Sequence, residues 1–132
     1  MTASELLKLA KEARGAAYAP YSKFSVGAAL LAQDGEVFLG CNIENASFSP
    51  TCCAERVAIF KAISEGVREF EAIAVVGGLG EKTEPNCYPC GVCRQVLAEF
   101  CAEDLRVILE NEEREPVEMC LGELLPNRFS LK

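Results

Sequence analysis

Two short stretches, Thr51-Cys52-Cys53-Ala54-Glu55-Arg56 and Tyr88-Pro89-Cys90-Gly91-Val92-Cys93-Arg94, hold thiols and a carboxylate suited to joint work, and no histidine stands anywhere in the chain. That absence removes Ser-His and Cys-His catalysis and any imidazole metal ligand together. A metal site must then rest on thiolates, and a general base must be a carboxylate or, less readily, Lys, Tyr or Cys. Both stretches read as helix starts, so thiols that act together bring two helix starts to one point.

The chain of 132 residues is the length of one domain, 1–132, and half of it is hydrophobic, enough for a single core without disulfide staples. Thirteen basic against twenty acidic residues leave a net charge of −7, which repels a polyanion and disfavours nucleic acid as a partner. Met1-Thr2-Ala3-Ser4-Glu5 lacks a basic start and a following apolar run, and no apolar stretch approaches the roughly 18 residues of a bilayer span. A cytoplasmic protein without membrane contact is the expectation. In a reducing compartment its eight cysteines read as metal ligands or small buried hydrophobes rather than disulfides.

Thr2 and Glu5 have capping-box spacing, and Leu6, Leu7, Leu9, Ala10, Ala13, Ala16 and Ala17 follow at helical period, predicting a first helix of roughly four turns. Ala19-Pro20-Tyr21-Ser22 breaks it. Residues 24–32 and 36–40 read as strands joined at Gln33-Asp34-Gly35, with Gly27 marking a bulge or a close backbone approach. Residues 41–50 form a polar loop, the natural place for substrate contacts. A largely buried helix is predicted over 53–65 with Gly66 as its cap, then a strand over 72–76 bounded by Gly77-Gly78. After a loop over 79–89 come a helix over 91–100, strands over 105–109 and 116–119, and a short helix over 122–125. This order predicts an α/β fold, a mixed five-stranded sheet sandwiched between helices as a three-layer α-β-α arrangement.

Cys90 and Cys93 lie three apart on one helical turn, so both sulfurs can reach one ion about 2.3 Å away. Alone the pair suits zinc, a redox dithiol or plain packing; a thioredoxin-type βαβ unit is not at the chain start, which weakens the redox alternative. Cys53 offers a third thiol from another helix start, and three ligands leave a fourth position open for water, as in a catalytic zinc site. A closed four-cysteine site is the rival, with Cys41, Cys52, Cys87, Cys101 and Cys120 to spare and Cys52 and Cys87 nearest in sequence. Glu55, in the same first turn as Cys53, can stand beside the water without binding the ion, although an acidic residue there also complements the helix dipole. Three thiolates on Zn²⁺ leave a negative site, which two helix N-termini and Arg56 can offset; Arg94 serves there or in a surface or structural ion pair.

Cys53-Ala54-Glu55 followed by Pro89-Cys90-Gly91-Val92-Cys93 resembles the signature of the zinc-dependent cytidine deaminases, in the small form with three cysteine ligands. The resemblance extends over nearly the whole chain, through Tyr18-Ala19-Pro20-Tyr21-Ser22-Lys23-Phe24, Gly40-Cys41-Asn42-Ile43-Glu44-Asn45 and Leu124-Leu125-Pro126. It implies hydrolytic deamination of cytidine and 2′-deoxycytidine to the uridines and ammonia, in pyrimidine salvage. One Zn²⁺ per subunit would be held by Cys53, Cys90 and Cys93, zinc hydroxide would attack C4, and Glu55 would carry protons to N3 and the departing amine. It further implies that Asn42 and Glu44 bind the ribose hydroxyls, Phe24 stacks on the base and the Ala54 backbone meets its polar edge. The resembled small enzymes are homotetramers with shared active sites, and Phe129 matches an aromatic that reaches into a neighbour's site.

The chain departs from that pattern at Phe48, where Tyr is expected, and in the longer approach Glu84-Pro85-Asn86-Cys87-Tyr88 with its extra thiol. Asn42 with Glu44 favours an ordinary ribose over a modified nucleoside such as an antibiotic. Acidic charge and small size disfavour a polynucleotide substrate. A structural zinc protein or a dead scaffold is the alternative from another class.

Overall fold

In the computed structural model, which describes residues 1–132, the capping box predicted at the N-terminus is present. Thr2 Oγ1 accepts from the Glu5 amide at 3.1 Å and Glu5 returns the bond to the Thr2 amide at 3.1 Å. Helix α1 covers Ala3–Ala13 and is shorter than expected, because Arg14–Ala16 tighten into a 3₁₀ turn. The cause is the Arg14 side chain. It is buried and donates to the carbonyls of Ser25 (2.8 Å), Gly78 (2.9 Å), Gly80 (2.8 Å) and Lys82 (3.1 Å), which anchors the end of the helix to the sheet.

The strands are β1 (Phe24–Ala32), β2 (Val37–Cys41), β3 (Phe70–Leu79), β4 (Arg106–Glu110) and β5 (Pro116–Cys120), in spatial order β2-β1-β3-β4-β5. All pairs are antiparallel except β3 with β4, so the sheet is mixed as expected. Strand β3 runs through Gly77-Gly78 instead of ending there. Its antiparallel partner β1 supplies a matching residue at every step from Leu31 opposite Ala72 to Phe24 opposite Leu79. The only irregularity in that pairing falls between Leu31 and Ala32. Gly27 therefore marks a close approach and not a bulge, since a Cβ there would meet the Ala10 carbonyl oxygen at 2.0 Å.

Alternation along β1 sends residues to two cores. Ala29 and Leu31 join Ala72, Ala74, Val76 and Ile108 against Leu6, Leu7 and Ala10 of α1. Ala28, Leu30 and Ala32 join Ile73, Val75, Val107 and Leu109 on the other face, under α2 (Ala54–Ser64), α3 (Gly91–Phe100) and the short α4 (Leu121–Leu124). Each fully buried Leu or Ile contributes roughly 1.5–3 kcal/mol, so this larger core is the main anchor of α2 and α3. Helix α2 can descend onto β2 because Gly40 has no side chain; a Cβ there would stand 2.2 Å from the Ala54 carbonyl oxygen. It ends as predicted at Gly66, whose φ of 91° permits the Gly66 amide to reach the Ile63 carbonyl (3.0 Å) and the Val67 amide the Ala62 carbonyl (3.0 Å).

Strands β2, β3 and β4 all point the same way, so their C-terminal ends and the start of β1 share one edge of the sheet. Both α2 and α3 begin beyond that edge. The loop carrying residues 83–86 is fastened there by Glu110 at the end of β4. Its buried carboxylate accepts from Thr83 Oγ1 (3.0 Å), Lys11 Nζ (3.2 Å) and Arg114 Nη1 (3.3 Å), while its backbone carbonyl accepts from the Asn86 amide (2.7 Å).

Burial pushes the Glu110 carboxyl up, but the donors from Lys11, Thr83 and Arg114 outweigh it and hold the group below its ordinary value. A carboxyl with a depressed folded value stabilises fully above its unfolded value, and that contribution is lost as pH falls through the folded one. Glu110→Gln should therefore lower the melting temperature at neutral pH, and the gap from wild type should close as pH falls through and below the ordinary carboxylate range. A thermal melt series checks this; a gap that stays constant across that range contradicts it.

Candidate metal centre

Cys53 and Cys90 occupy equivalent places at the starts of α2 and α3. Each is the N-cap residue, with extended backbone (φ −74°, ψ 156° and φ −68°, ψ 168°), and neither side chain caps its own helix. Both sulfurs are thus free to face the positive end of a helix dipole. This sets Cys53 one residue before the first helical turn expected to hold it; Ala54 is the first helical residue because only from there does the chain adopt helical dihedrals. Cys93 follows Cys90 by three residues and is fully buried.

The three sulfurs converge. Cys53 Sγ lies 3.9 Å from Cys90 Sγ, Cys90 Sγ lies 3.5 Å from Cys93 Sγ, and all three sit within 4.8 Å of one another. A tetrahedral zinc with sulfur ligands at about 2.3 Å requires sulfurs about 3.8 Å apart. The donor set and its spacing therefore fit one zinc ion. Arg56 Nη2 donates to Cys53 Sγ at 3.3 Å and to the Thr51 carbonyl at 3.4 Å, while its Nε is buried with no partner of its own. A cation beside the sulfurs is what a thiolate ligand set calls for.

The neighbouring Cys93 thiol and Arg56 hold Cys53 down to about 5, against the effect of burial. The Cys53 sulfur beside it, with burial, pushes Cys93 well up. Glu55, in the first turn of α2, is 4% exposed. Burial pushes its carboxyl up to about 7, opposed by a hydrogen bond from its own backbone amide. It does not belong to the sulfur cluster.

The five other cysteines lie outside it. Cys41 ends β2, Cys52 pairs through its backbone with Ile43, and Cys120 precedes α4. Cys101 caps the C-terminus of α3, and burial pushes its thiol up to about 12. Cys87 is the near miss. Burial, and then the Glu55 charge, push its thiol up to about 11, and its sulfur packs over Gly77 beside the Phe24 ring. A four-sulfur closed site has no fourth ligand.

Phe24 starts β1 on the face that carries α2 and α3. Asn42 is turned to its backbone: Oδ1 accepts from the Val26 amide (2.9 Å) and Nδ2 donates to the Phe24 carbonyl (2.8 Å). Glu44 accepts from the amides of Tyr21 (3.0 Å) and Ser22 (3.1 Å) and from Ser22 Oγ, and these bonds hold its carboxyl below the ordinary range, the Ser22 hydroxyl foremost. With Tyr21, Ser22, Asn45, Phe48 and Thr51 it lines a cavity of about 340 Å³. Ala54 is fully buried. Phe129 is 67% exposed and Phe48 is 82% exposed, so neither aromatic is spent on this chain's core. Arg94 makes no ion pair; it donates to the Pro89 carbonyl (2.7 Å) and the Leu124 carbonyl (2.8 Å), steadying the residue that precedes Cys90. Nothing in the sequence signals the clamp made by Arg14.

Residues 1–109 match the family described as the cytidine and deoxycytidylate deaminase zinc-binding region. The chain is 52% identical over 130 residues to the cytidine deaminase of Sporosarcina psychrophila, covering 98% of this chain and 93% of that relative. Against the cytidine deaminase of Halalkalibacterium halodurans it is 53% identical over 125 residues, covering 95% and 92% respectively. Among solved structures it resembles the cytidine deaminase from Burkholderia pseudomallei, with a TM-score of 0.89 and 50% identity over 98% of this chain and 100% of that one.

Replacing a ligand should empty the site, whereas replacing a bystander should not. Cys93→Ala is expected to lose zinc, while Cys52→Ala and Cys87→Ala retain one ion per chain in metal analysis of the purified proteins. Full zinc in Cys93→Ala would mean that the ligands are misassigned.

Proposed function

The chain belongs to the cytidine and deoxycytidylate deaminase family, and from that premise we propose that it is a zinc-dependent cytidine deaminase that hydrolyses cytidine and 2′-deoxycytidine to the uridines and ammonia in pyrimidine salvage. The observation that carries this reading is three convergent sulfurs at two helix N-termini with a buried carboxylate next to them. A purely structural zinc site has no need of a buried Glu55. We assign the whole chain, 1–132, to one domain.

Cys53, Cys90 and Cys93 hold one zinc per subunit, and bound there the ion supplies a Lewis acid that makes water a nucleophile near neutral pH. Glu55 moves the protons. Its carboxyl, near 7 when buried, can both take a proton from water and release it, first to N3 of the base and then to the departing amine. Arg56 offsets the thiolate charge from 3.3 Å. Phe24 offers its ring face to the base, and the Ala54 backbone offers polar atoms to the base edge.

Asn42 and Glu44 orient the ribose. Asn42 Nδ2 has a second N–H beyond the one given to Phe24, and Glu44 keeps lone pairs free after accepting from Tyr21 and Ser22. The enzyme works as a homotetramer with shared sites, to which the exposed Phe129 contributes from a neighbouring subunit. Its partners are thus its nucleoside and copies of itself, with no nucleic-acid polymer and no membrane: the net charge is −7 and no helix is long and apolar enough to cross a bilayer. We place it in the cytoplasm.

Glu55→Gln tests the proton shuttle. Deamination of cytidine, followed by ultraviolet absorbance, should fall by at least about 100-fold, while zinc content and circular dichroism stay as in wild type; near-normal turnover removes Glu55 from the role. Truncation before Phe129 tests the shared site. Activity should fall at unchanged zinc content and the sedimentation of the chain should shift, whereas a fully active monomer would end the shared-site reading.

A further inference from the structure

Side chains on neighbouring antiparallel strands fill the space between direct and diagonal partners on one face. Gly77 leaves such a space open. It is buried opposite Val26 in the β1–β3 register, and Phe24 lies two residues before Val26, hence on the same face. A Cβ built on Gly77 would stand 2.8 Å from Phe24 Cε1, 2.8 Å from Cys87 Sγ and 3.1 Å from Val26 Cγ2. The ring edge and the sulfur both rest on a bare α-carbon.

The loop that delivers Cys87 is itself fastened. The Glu84 amide donates to the Gly77 carbonyl at 2.7 Å, the Asn86 amide donates to the Glu110 carbonyl at 2.7 Å, and Asn86 turns the chain with a φ of 55°. The thiol packs against the core beneath α2 and α3 and takes no part in the sulfur cluster. Neither zinc binding nor proton transfer uses it.

We propose that Gly77 and Cys87 form a fitted seat for the Phe24 ring and are positioning residues for the nucleoside base. The inference rests on the reading that Phe24 stacks on that base. Glycine keeps the floor of the seat low enough for an aromatic edge, and a thiol beside a ring edge is a favourable contact that a smaller side chain forfeits. A methyl on Gly77 is fixed to the backbone, so the ring and the sulfur are what must yield. Substrate binding would suffer, and the groups that carry out the chemistry would not move.

Steady-state kinetics on cytidine, with calorimetric binding of the product uridine, separate the possibilities. Gly77→Ala should raise KM and the uridine Kd about five- to tenfold with kcat within about twofold, the pattern of lost uniform binding. Cys87→Ala should do the same to a smaller degree, with zinc at one per chain, and Cys87→Ser, which keeps an atom in place, should return KM toward wild type. Each change should then be repeated on a Phe24→Ala background, where a seat for the ring has nothing left to position and its effects should vanish. Effects that persist at full size on that background, or single variants with wild-type KM where Phe24→Ala raises it, overturn the seat. A Phe24→Ala enzyme with wild-type KM and uridine Kd would instead remove the stacking reading, and the seat with it. Should Gly77→Ala fail to fold, the two Cys87 variants suffice to uphold or overturn the seat.

Discussion

Three ionised sulfurs cannot occupy a space in which they all lie within 4.8 Å of one another unless positive charge is aimed at them, and much of this fold answers that demand. A zinc ion leaves three thiolates one charge short of neutrality. The N-terminus of a helix carries roughly half a positive charge, so the two that meet here sum to about the missing one. Arg56 then adds a full cation at 3.3 Å from Cys53. Offsetting the thiolate charge matters because an ion overloaded with negative charge would polarise water poorly. Helices α2 and α3 are therefore part of the electrostatics of the site as well as its scaffold.

Bringing those two helix ends together falls to the sheet. Strands β2 and β3 run the same way with β1 between them, so the chain leaves each at the same edge and enters a helix soon after. Gly40 lets α2 lie close on β2. On the far side, Arg14 ties the end of α1 to Ser25 of β1 and to the carbonyls of Gly78, Gly80 and Lys82, while Glu110 fastens the next loop turn. Each restraint reduces the freedom that would let Cys90 and Cys93 drift from Cys53. A displacement of even one ångström would matter for a site whose sulfur spacing must match an ion.

What was legible in the sequence follows from which interactions are local. The capping box at Thr2, the period of α1 and α2, the Gly66 cap and the C-x-x-C pair are set by neighbours within a turn, and they stand where the pattern put them except that α1 ends early, at Ala13. The element order was legible for the same reason. The length of β3 was not, because Gly77-Gly78 is a stop signal locally and only pairing with β1 across the sheet overrides it. Arg14 was invisible, since its four carbonyl partners lie between 11 and 68 residues away. The trio of sulfurs was readable as residue types, but the exclusion of Cys52 and Cys87 depended on side-chain directions that spacing alone does not give.

Asn42 and Glu44 carry a further physical point. Read from the sequence they are loop residues available to a ribose, yet in the fold both are already engaged: Asn42 bridges the backbone of β1, and Glu44 gathers the turn at Tyr21 and Ser22. A side chain held by two or more bonds has lost most of its rotamer freedom before any ligand arrives, so the entropy of ordering it is not charged against binding. The same bonds aim the remaining N–H of Asn42 and the remaining lone pairs of Glu44 in fixed directions. Since Asn42 holds the carbonyl of Phe24 and the amide of Val26, it also fixes the strand segment from which the aromatic ring projects. The ribose contact proposed for Asn42 and the base contact proposed for Phe24 would thereby be coupled through one strand, and a change that loosens either would be felt by both.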